Sequence, residues 1–171
     1  MILGSLVFAL LITIGAFVYI PLPFTPVPIT LQVLFVLLAG LFLGEKYGTL
    51  SVLIYVASGL AGLPVFAGAV GGMLRILGPT GGYIVGFLIA PSVVSFLFRK
   101  MENRTFSAFI AMYAGLLIIY LFGMLHLSIF LKKGFLNAVE LGILPFIIGD
   151  TIKITLATSL FRITRRKVWN S

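Results

Sequence analysis

The chain has few charged residues and no cysteine, and each shortage excludes a class of protein. Only 9% of its 171 residues are charged, whereas soluble domains carry about a quarter. A water-facing surface cannot be built from so few charges, so we exclude a soluble protein. The absence of cysteine excludes disulfides and thiolate metal sites. The sole histidine, His126, has no second ligand at metal spacing and is assigned to packing, so we expect neither a metal nor a cofactor.

Sequence motifs of catalysis are absent as well. The chain has no nucleophile elbow and no zinc motif. Residues 78–82 (GPTGG) resemble a phosphate loop only in their glycines, because the lysine and the preceding strand are missing. No nucleophile and base can be paired to name a reaction. The sequence therefore predicts a protein that is not an enzyme.

Apolar residues are abundant, at 61% of the chain, and the mean hydropathy is +1.23. Because a membrane span needs about 20 apolar residues, we predict an all-α integral membrane protein with six transmembrane helices in one substrate-binding domain, residues 1–171. The first apolar stretch lacks a basic leader and a cleavage site, so it is interpreted as a retained helix. The predicted helices cover residues 3–19, 31–43, 49–59, 83–98, 106–131 and 138–163.

Two of the predicted loops have unusual compositions. Residues 21–32 contain four prolines, which disfavour helix, so a rigid loop is expected there. Residues 61–82 contain seven glycines, and backbone this irregular must lie outside the membrane or line a polar cavity. A tight turn at residues 44–48 is predicted between two short spans. A re-entrant hairpin is disfavoured there because it would place Glu45 and Lys46 in the hydrocarbon.

The basic residues predict the orientation of the chain. A net charge of +8 on a membrane protein fits anionic lipid and the positive-inside rule, so the bilayer is an expected partner and nucleic acid is not. With six spans, eight Lys and Arg residues fall on one side and three on the other. Both termini are therefore predicted in the cytoplasm of a multi-pass plasma-membrane protein, with the two unusual loops together on the outer face.

Two charges lie well inside an apolar helix, Asp150 and Lys153. Their spacing places them on one helix face, and an intramembrane ionisable pair is a functional-site hypothesis by default. About a dozen residues into the sixth helix, the pair would lie near the outer half or the middle of the bilayer. The alternative is that the pair only braces this helix. Desolvation offsets most of the attraction within a buried pair, which favours a bound solute, ion or proton.

Other candidate ligand contacts lie in or near the two unusual loops. Arg75 is the only charge in the glycine-rich loop and could hold an anionic group, although a solvated arginine is an equal alternative. A mostly apolar ligand also needs apolar walls and a few hydroxyl donors. The candidates for these roles, each of which could instead be a packing residue, are Phe24, Thr25, Phe66, Thr80 and Tyr83.

One helix carries a stripe of small residues. Ser5, Ala9 and Thr13 recur at every fourth position of the first helix, which permits the close approach of another helix. That helix could belong to a partner protein or to the chain itself, and the stripe alone does not decide between them.

Several segments resemble the BioY family, the biotin-specific substrate-binding subunits of energy-coupling-factor transporters. The resemblance begins at residues 23–32 (PFTPVPITLQ) and 37–40 (LLAG) and covers nearly the whole chain. It continues through shorter strings and reappears at the ionic pair, in residues 62–66 (GLPVF), 78–83 (GPTGGY), 86–87 (GF) and 145–150 (PFIIGD) with Lys153.

The resemblance implies a six-helix fold with an outward-facing site for biotin. It implies a partner module made of a transmembrane coupling protein and two cytoplasmic ATPases, with the stripe of the first helix facing the coupling protein. It also assigns Asp150 and Lys153 to biotin contact. Some family members place an arginine near the start of the fourth helix and an asparagine before it, where this chain has Tyr83 and Ala69, so Arg75 is a candidate substitute.

Other functions remain open from the sequence. An ion-coupled or self-sufficient carrier would use Asp150 as a proton relay. A substrate-binding subunit for another vitamin would use the same pair for a different solute. An intramembrane enzyme ranks last, since one aspartate and one histidine define no reaction.

Overall fold

The computed structural model describes residues 1–101, 104–132 and 134–169. Two short strands follow the first helix, β1 (Ile20–Leu22) and β2 (Thr25–Ile29). The helices are α1 (Ile2–Phe17), α2 (Gln32–Leu60), α3 (Met73–Leu77), α4 (Gly81–Lys100), α5 (Arg104–Leu131), α6 (Phe135–Gly142) and α7 (Leu144–Trp169).

The proline-rich segment is a β-hairpin, so the prediction of a purely α-helical chain with a loop at residues 21–32 was wrong there. β1 and β2 pair antiparallel, with Ile20 opposite Ile29 and Leu22 opposite Thr25. In β2, Pro26 and Pro28 alternate with residues that keep their N–H groups. A two-stranded sheet has free edges at which a missing donor costs nothing, so prolines are tolerated.

α2 reverses its direction at Gly44. This residue has φ 78° and ψ −176°, a conformation that a side chain would strain. Gln32 and Tyr55 would lie about 35 Å apart in a straight helix, yet the Gln32 amide donates to the Tyr55 hydroxyl at 2.5 Å. The chain therefore forms two antiparallel helical arms, as predicted, but the predicted turn at residues 44–48 is wrong, because only Gly44 leaves the helical conformation.

The corner at Gly44 lies beside the C-terminal end of α4. Glu45 forms an exposed ion pair with Arg99 at 3.2 Å, near the last residue of α4. The Glu45 carboxylate is therefore exposed beside the C-terminal end of α4, and two spans in place of a re-entrant hairpin stay a prediction.

The predicted sixth helix is broken into α6 and α7, which are bent by 43°. Proline at position 145 has no N–H to donate to the carbonyl of Leu141, so the helical ladder is interrupted here. Asp150 consequently lies at the end of the second turn of α7, and the prediction of one continuous sixth helix was wrong.

Two residues of the small-residue stripe of α1 pack within the chain itself. Ser5 is fully buried and donates a 2.9 Å hydrogen bond to the carbonyl of Tyr47 on α2, and Ala9 is also buried. Thr13 is half-buried and donates to the carbonyl of Ala9 in its own helix. Ser5 and Ala9 therefore pack within the chain, so the prediction of a partner interface is corrected for these two residues, while for Thr13 it stays a prediction.

Several helices are suited to the bilayer. Gln32–Leu60, Gly81–Lys100 and Thr105–Leu131 are long and apolar enough to cross it, and the bent pair of α6 and α7 would make a fourth such span within the described residues. The chain is accordingly a multi-pass membrane protein. Of the residues used to predict its orientation, Lys133 lies outside the described residues.

Candidate functional site

A cavity lies where the hairpin and the glycine-rich segment cover both ends of α2, the first turns of α4 and α7, and the middle of α5. About 580 Å³ of space between the lining atoms belongs to it, a volume that includes the solvent at its open mouth. Its lining combines apolar side chains with a few polar groups. The lining residues are Val27, Pro28, Thr30, Gln32, Val33, Tyr55, Phe66, Ala67, Arg75, Thr80, Tyr83, Ile84, Phe87, Tyr120, Phe146, Asp150 and Lys153.

Asp150 and Lys153 form an ion pair in the wall of this cavity. The Lys153 ammonium donates to Asp150 Oδ1 at 2.7 Å, and the exposed fractions of the two side chains are 14% and 5%. The other carboxylate oxygen accepts a 2.7 Å hydrogen bond from the Tyr120 hydroxyl. Lys153 also donates to the carbonyl of Thr30 at 2.8 Å. The pair is electrically neutral as a unit and is held by groups from α5 and from the end of the hairpin.

A second polar group in the cavity comes from α2. Gln32 is buried, and its amide nitrogen donates to the Tyr55 hydroxyl, which bridges the two arms of α2. The hydroxyl of Thr30 donates to the amide oxygen of Gln32 at 3.3 Å. These hydrogen bonds connect the end of the hairpin to the cavity wall, as the bond from Lys153 to the Thr30 carbonyl also does.

Two donors in the cavity have no partner among the described residues. Arg75 Nη2 and Thr80 Oγ1 are both buried and make no hydrogen bond. Thr80 is the N-cap residue of α4, yet its hydroxyl caps no backbone N–H, although threonine at this position ordinarily does. Buried polar groups are usually hydrogen-bonded. Acceptor groups on a ligand would give these donors hydrogen-bond partners.

Aromatic rings provide much of the apolar surface. Phe66 is almost fully buried and packs edge-on against Tyr55, with ring centroids 5.5 Å apart. Phe66 also lies against Gly59, where an added Cβ would overlap its ring. Phe87 and Phe146 contribute from α4 and α7. The cavity therefore suits a ligand with an apolar body and polar groups at its ends.

Six of the eight side chains predicted to contact a ligand line this cavity: Asp150, Lys153, Arg75, Thr80, Phe66 and Tyr83. Phe24 does not, because it lies at the tip of the hairpin with 58% of its surface exposed. Thr25, the first residue of β2, does not line the cavity either. Its side chain is buried, and its hydroxyl donates to the carbonyl of Leu141 at 2.7 Å. The Tyr83 ring lines the cavity, but its hydroxyl donates to the carbonyl of Gly142.

Sequence reasoning missed several lining residues, of which Gln32 gave a signal. It is the only glutamine of the chain and stands at the start of an apolar helix, as polar residues at functional sites often do. Tyr55 and Tyr120 gave none, because nothing distinguishes them from the other tyrosines until the helices are packed. Among the described residues no cluster of three or more His, Cys, Asp or Glu could hold a metal. His126 Nε2 lies 2.9 Å from the carbonyl of Gly78, consistent with packing.

Comparisons with known proteins agree with this architecture. The model of the BioY family matches residues 1–170. A probable biotin transporter BioY of Pyrococcus horikoshii is 47% identical, covering 88% of this chain and 86% of its own length. The biotin transporter BioY of Thermotoga maritima is 44% identical, covering 88% and 87% respectively. A crystal structure of the S-component for biotin from an ECF-type ABC transporter superimposes with a TM-score of 0.88 at 35% identity, over 95% of this chain and 88% of that one.

Proposed function

Because the chain belongs to the BioY family, we propose that it is the biotin-binding S subunit of an energy-coupling-factor transporter, which captures biotin at the outer face. This membership confirms the resemblance drawn from the sequence motifs. The observation that carries the proposal is one cavity that holds a neutral Asp150–Lys153 pair together with two buried donors, Arg75 Nη2 and Thr80 Oγ1, which have no hydrogen-bond partner among the described residues. The protein binds and delivers its solute and catalyses no reaction.

The charges of the cavity match the two ends of biotin. The ureido ring is uncharged and offers two N–H donors and one carbonyl acceptor. Asp150 can accept from an N–H group and Lys153 has a further N–H to donate, so this pair suits the ureido ring. The biotin carboxylate needs an unpaired cation, and Arg75 supplies a guanidinium nitrogen without a partner among the described residues. Thr80 can add a hydroxyl donor.

We propose six membrane crossings, with both termini in the cytoplasm of a plasma-membrane protein. The crossings are α1, the two arms of α2, α4, α5, and the bent pair of α6 and α7. The antiparallel arms support counting α2 twice. This topology places the hairpin and the glycine-rich segment on the outer side, and the excess of Lys and Arg on the inner side agrees with it.

Delivery into the cell is proposed to use a partner module, because the similar solved structure is an S-component from an ECF-type ABC transporter. We propose a transmembrane coupling protein and two cytoplasmic ATPases as that module. A self-sufficient carrier predicts uptake by the chain alone in liposomes, abolished when the proton gradient is collapsed. The proposed subunit predicts retention of biotin by the chain alone, and uptake that requires ATP and the module.

The binding site is tested by equilibrium binding of labelled biotin to purified protein. We expect Asp150→Asn to weaken binding at least tenfold, about 1.4 kcal/mol, because the ureido N–H groups lose a charged acceptor. Glu45→Gln is the matched control, since Glu45 is an exposed acid on the opposite side of the protein. Wild-type affinity in Asp150→Asn would overturn the assignment of this site.

A further inference from the structure

The break between α6 and α7 leaves two backbone carbonyls without their helical partners. In a continuous helix the carbonyl of Leu141 would accept from residue 145, but Pro145 has no N–H. The carbonyl of Gly142 would accept from Phe146, but the Phe146 N–H donates to Ile143 at 2.9 Å. Carbonyls buried in a membrane protein need another donor.

Two side-chain hydroxyls supply those donors. The hydroxyl of Thr25 donates to the Leu141 carbonyl at 2.7 Å, and the hydroxyl of Tyr83 donates to the Gly142 carbonyl at 2.7 Å. Both residues are buried. The two hydroxyls come from separate elements, β2 and α4. The carbonyls at the break therefore depend on tertiary packing for their donors.

The surrounding residues leave room for this arrangement. A Cβ added at Gly142 would meet the Tyr83 hydroxyl, and a Cβ added at Gly123 on α5 would overlap the Tyr83 ring. The two glycines therefore let Tyr83 lie flat between α5 and α6 while its hydroxyl reaches the break.

The bend sets the direction of α7, which carries Phe146, Asp150 and Lys153 into the cavity. We infer that Thr25 and Tyr83 are positioning residues, whose hydroxyls cap the α6–α7 break and thereby orient the Asp150–Lys153 pair for the ligand. Thr25 also lies in the strand that bears Val27 and Pro28, so the cap connects the hairpin above the cavity to the helix that bears the ionic pair. This inference rests on the proposed binding of biotin at that pair.

The test combines biotin binding with hydrogen exchange of the backbone amides of residues 143, 144 and 146–150 in protein free of biotin. We expect Thr25→Val and Tyr83→Phe each to weaken biotin binding about fivefold to tenfold and to speed exchange of these amides. Thr25→Ser keeps the hydroxyl and should retain wild-type behaviour in both measurements. If Thr25 acted only through packing, Thr25→Ser would not restore wild-type behaviour better than Thr25→Val.

Pro145→Ala provides a second, selective test. The variant gains an N–H at residue 145 that can serve the Leu141 carbonyl, so Thr25→Val should weaken binding less in this background than in the wild type. The effect of Tyr83→Phe should persist, because the Gly142 carbonyl gains no donor. Equal effects of Thr25→Val in both backgrounds would overturn the inference.

The two proposals fail in different ways. Wild-type protein that binds no biotin would overturn the proposed function, while faster exchange in Thr25→Val and Tyr83→Phe would still support the caps. Unchanged exchange and unchanged affinity in both variants would overturn the caps and leave biotin binding standing.

Discussion

The ammonium group of Lys153 donates a 2.8 Å hydrogen bond to the backbone carbonyl of Thr30, 123 positions earlier in the chain. Thr30 directly follows the second strand of the hairpin, and Lys153 lies in the wall of the cavity beneath it. The same ammonium pairs with Asp150. One cation therefore connects the hairpin, the ionic pair and the cavity.

Replacing Lys153 should disturb both the ligand contact and the hairpin. In Lys153→Met the Asp150 carboxylate keeps only the Tyr120 hydroxyl as a partner within the described residues, and Thr30 loses its donor. We expect biotin binding to weaken more than about tenfold, with faster hydrogen exchange in residues 25–31. Lys132→Met, at an exposed residue after α5, is the control and should change neither. Normal exchange in the hairpin would refute the role of Lys153 as its anchor.

Arg75 should distinguish the charged form of the ligand from a neutral one. Arg75→Leu removes the cation proposed to meet the carboxylate, so binding of biotin should weaken about tenfold or more. Binding of biotin amide, which carries no charge at that end, should change far less. The measurement is competition of each compound against labelled biotin. Equal losses for both compounds would place the carboxylate elsewhere.

Thr80→Val should weaken biotin binding without lowering the stability of the ligand-free protein. Valine has nearly the shape of threonine, and the hydroxyl that the substitution removes has no hydrogen-bond partner in the part of the chain that the structure describes. A buried hydroxyl without a partner disfavours folding by about 1 kcal/mol or more, so the thermal midpoint of ligand-free protein should stay level or rise. Biotin affinity should fall about threefold to tenfold. A lower thermal midpoint with unchanged affinity would assign Thr80 to structure.

The sequence predicted the helical parts of the fold better than their interruptions. Long apolar runs identify helices in a membrane protein because the lipid offers the backbone no other hydrogen-bond partners. The hairpin was missed since prolines at alternate positions have the pattern of a loop until a neighbouring strand is known. The break at Ile143 was missed because one proline in an apolar run does not reveal which donors replace the lost backbone bonds.

The candidate site was predictable where a residue type was rare for its surroundings. Asp150 and Lys153 stood out because charges in an apolar helix are costly, and Arg75 because no other charge lies near it in the sequence. The hydroxyls of Thr25 and Tyr83 donate to the carbonyls of Leu141 and Gly142, which the sequence did not indicate, while the Tyr83 side chain lines the cavity as predicted. The hydrogen bond from Tyr120 to Asp150 depends on how α5 packs against α7, which a single sequence does not specify.

Gly44 should tolerate a side chain poorly because of its backbone conformation. Its φ of 78° disfavours any side chain, so Gly44→Ala should lower the free energy of unfolding by about 1–2 kcal/mol. Gly134→Ala is the matched control, because its φ is −52° and an added Cβ would meet nothing within 4 Å. Equal thermal midpoints for the two variants would argue against a strained corner at Gly44.

The identity of the captured solute tests the account most directly. We would purify the protein from cells supplied with biotin and other vitamins, denature it, and identify the released small molecules by mass spectrometry. The account predicts biotin in an amount approaching one molecule per chain, and much less from Asp150→Asn or Arg75→Leu. A different vitamin bound in that amount, or biotin retained equally by both variants, would contradict it.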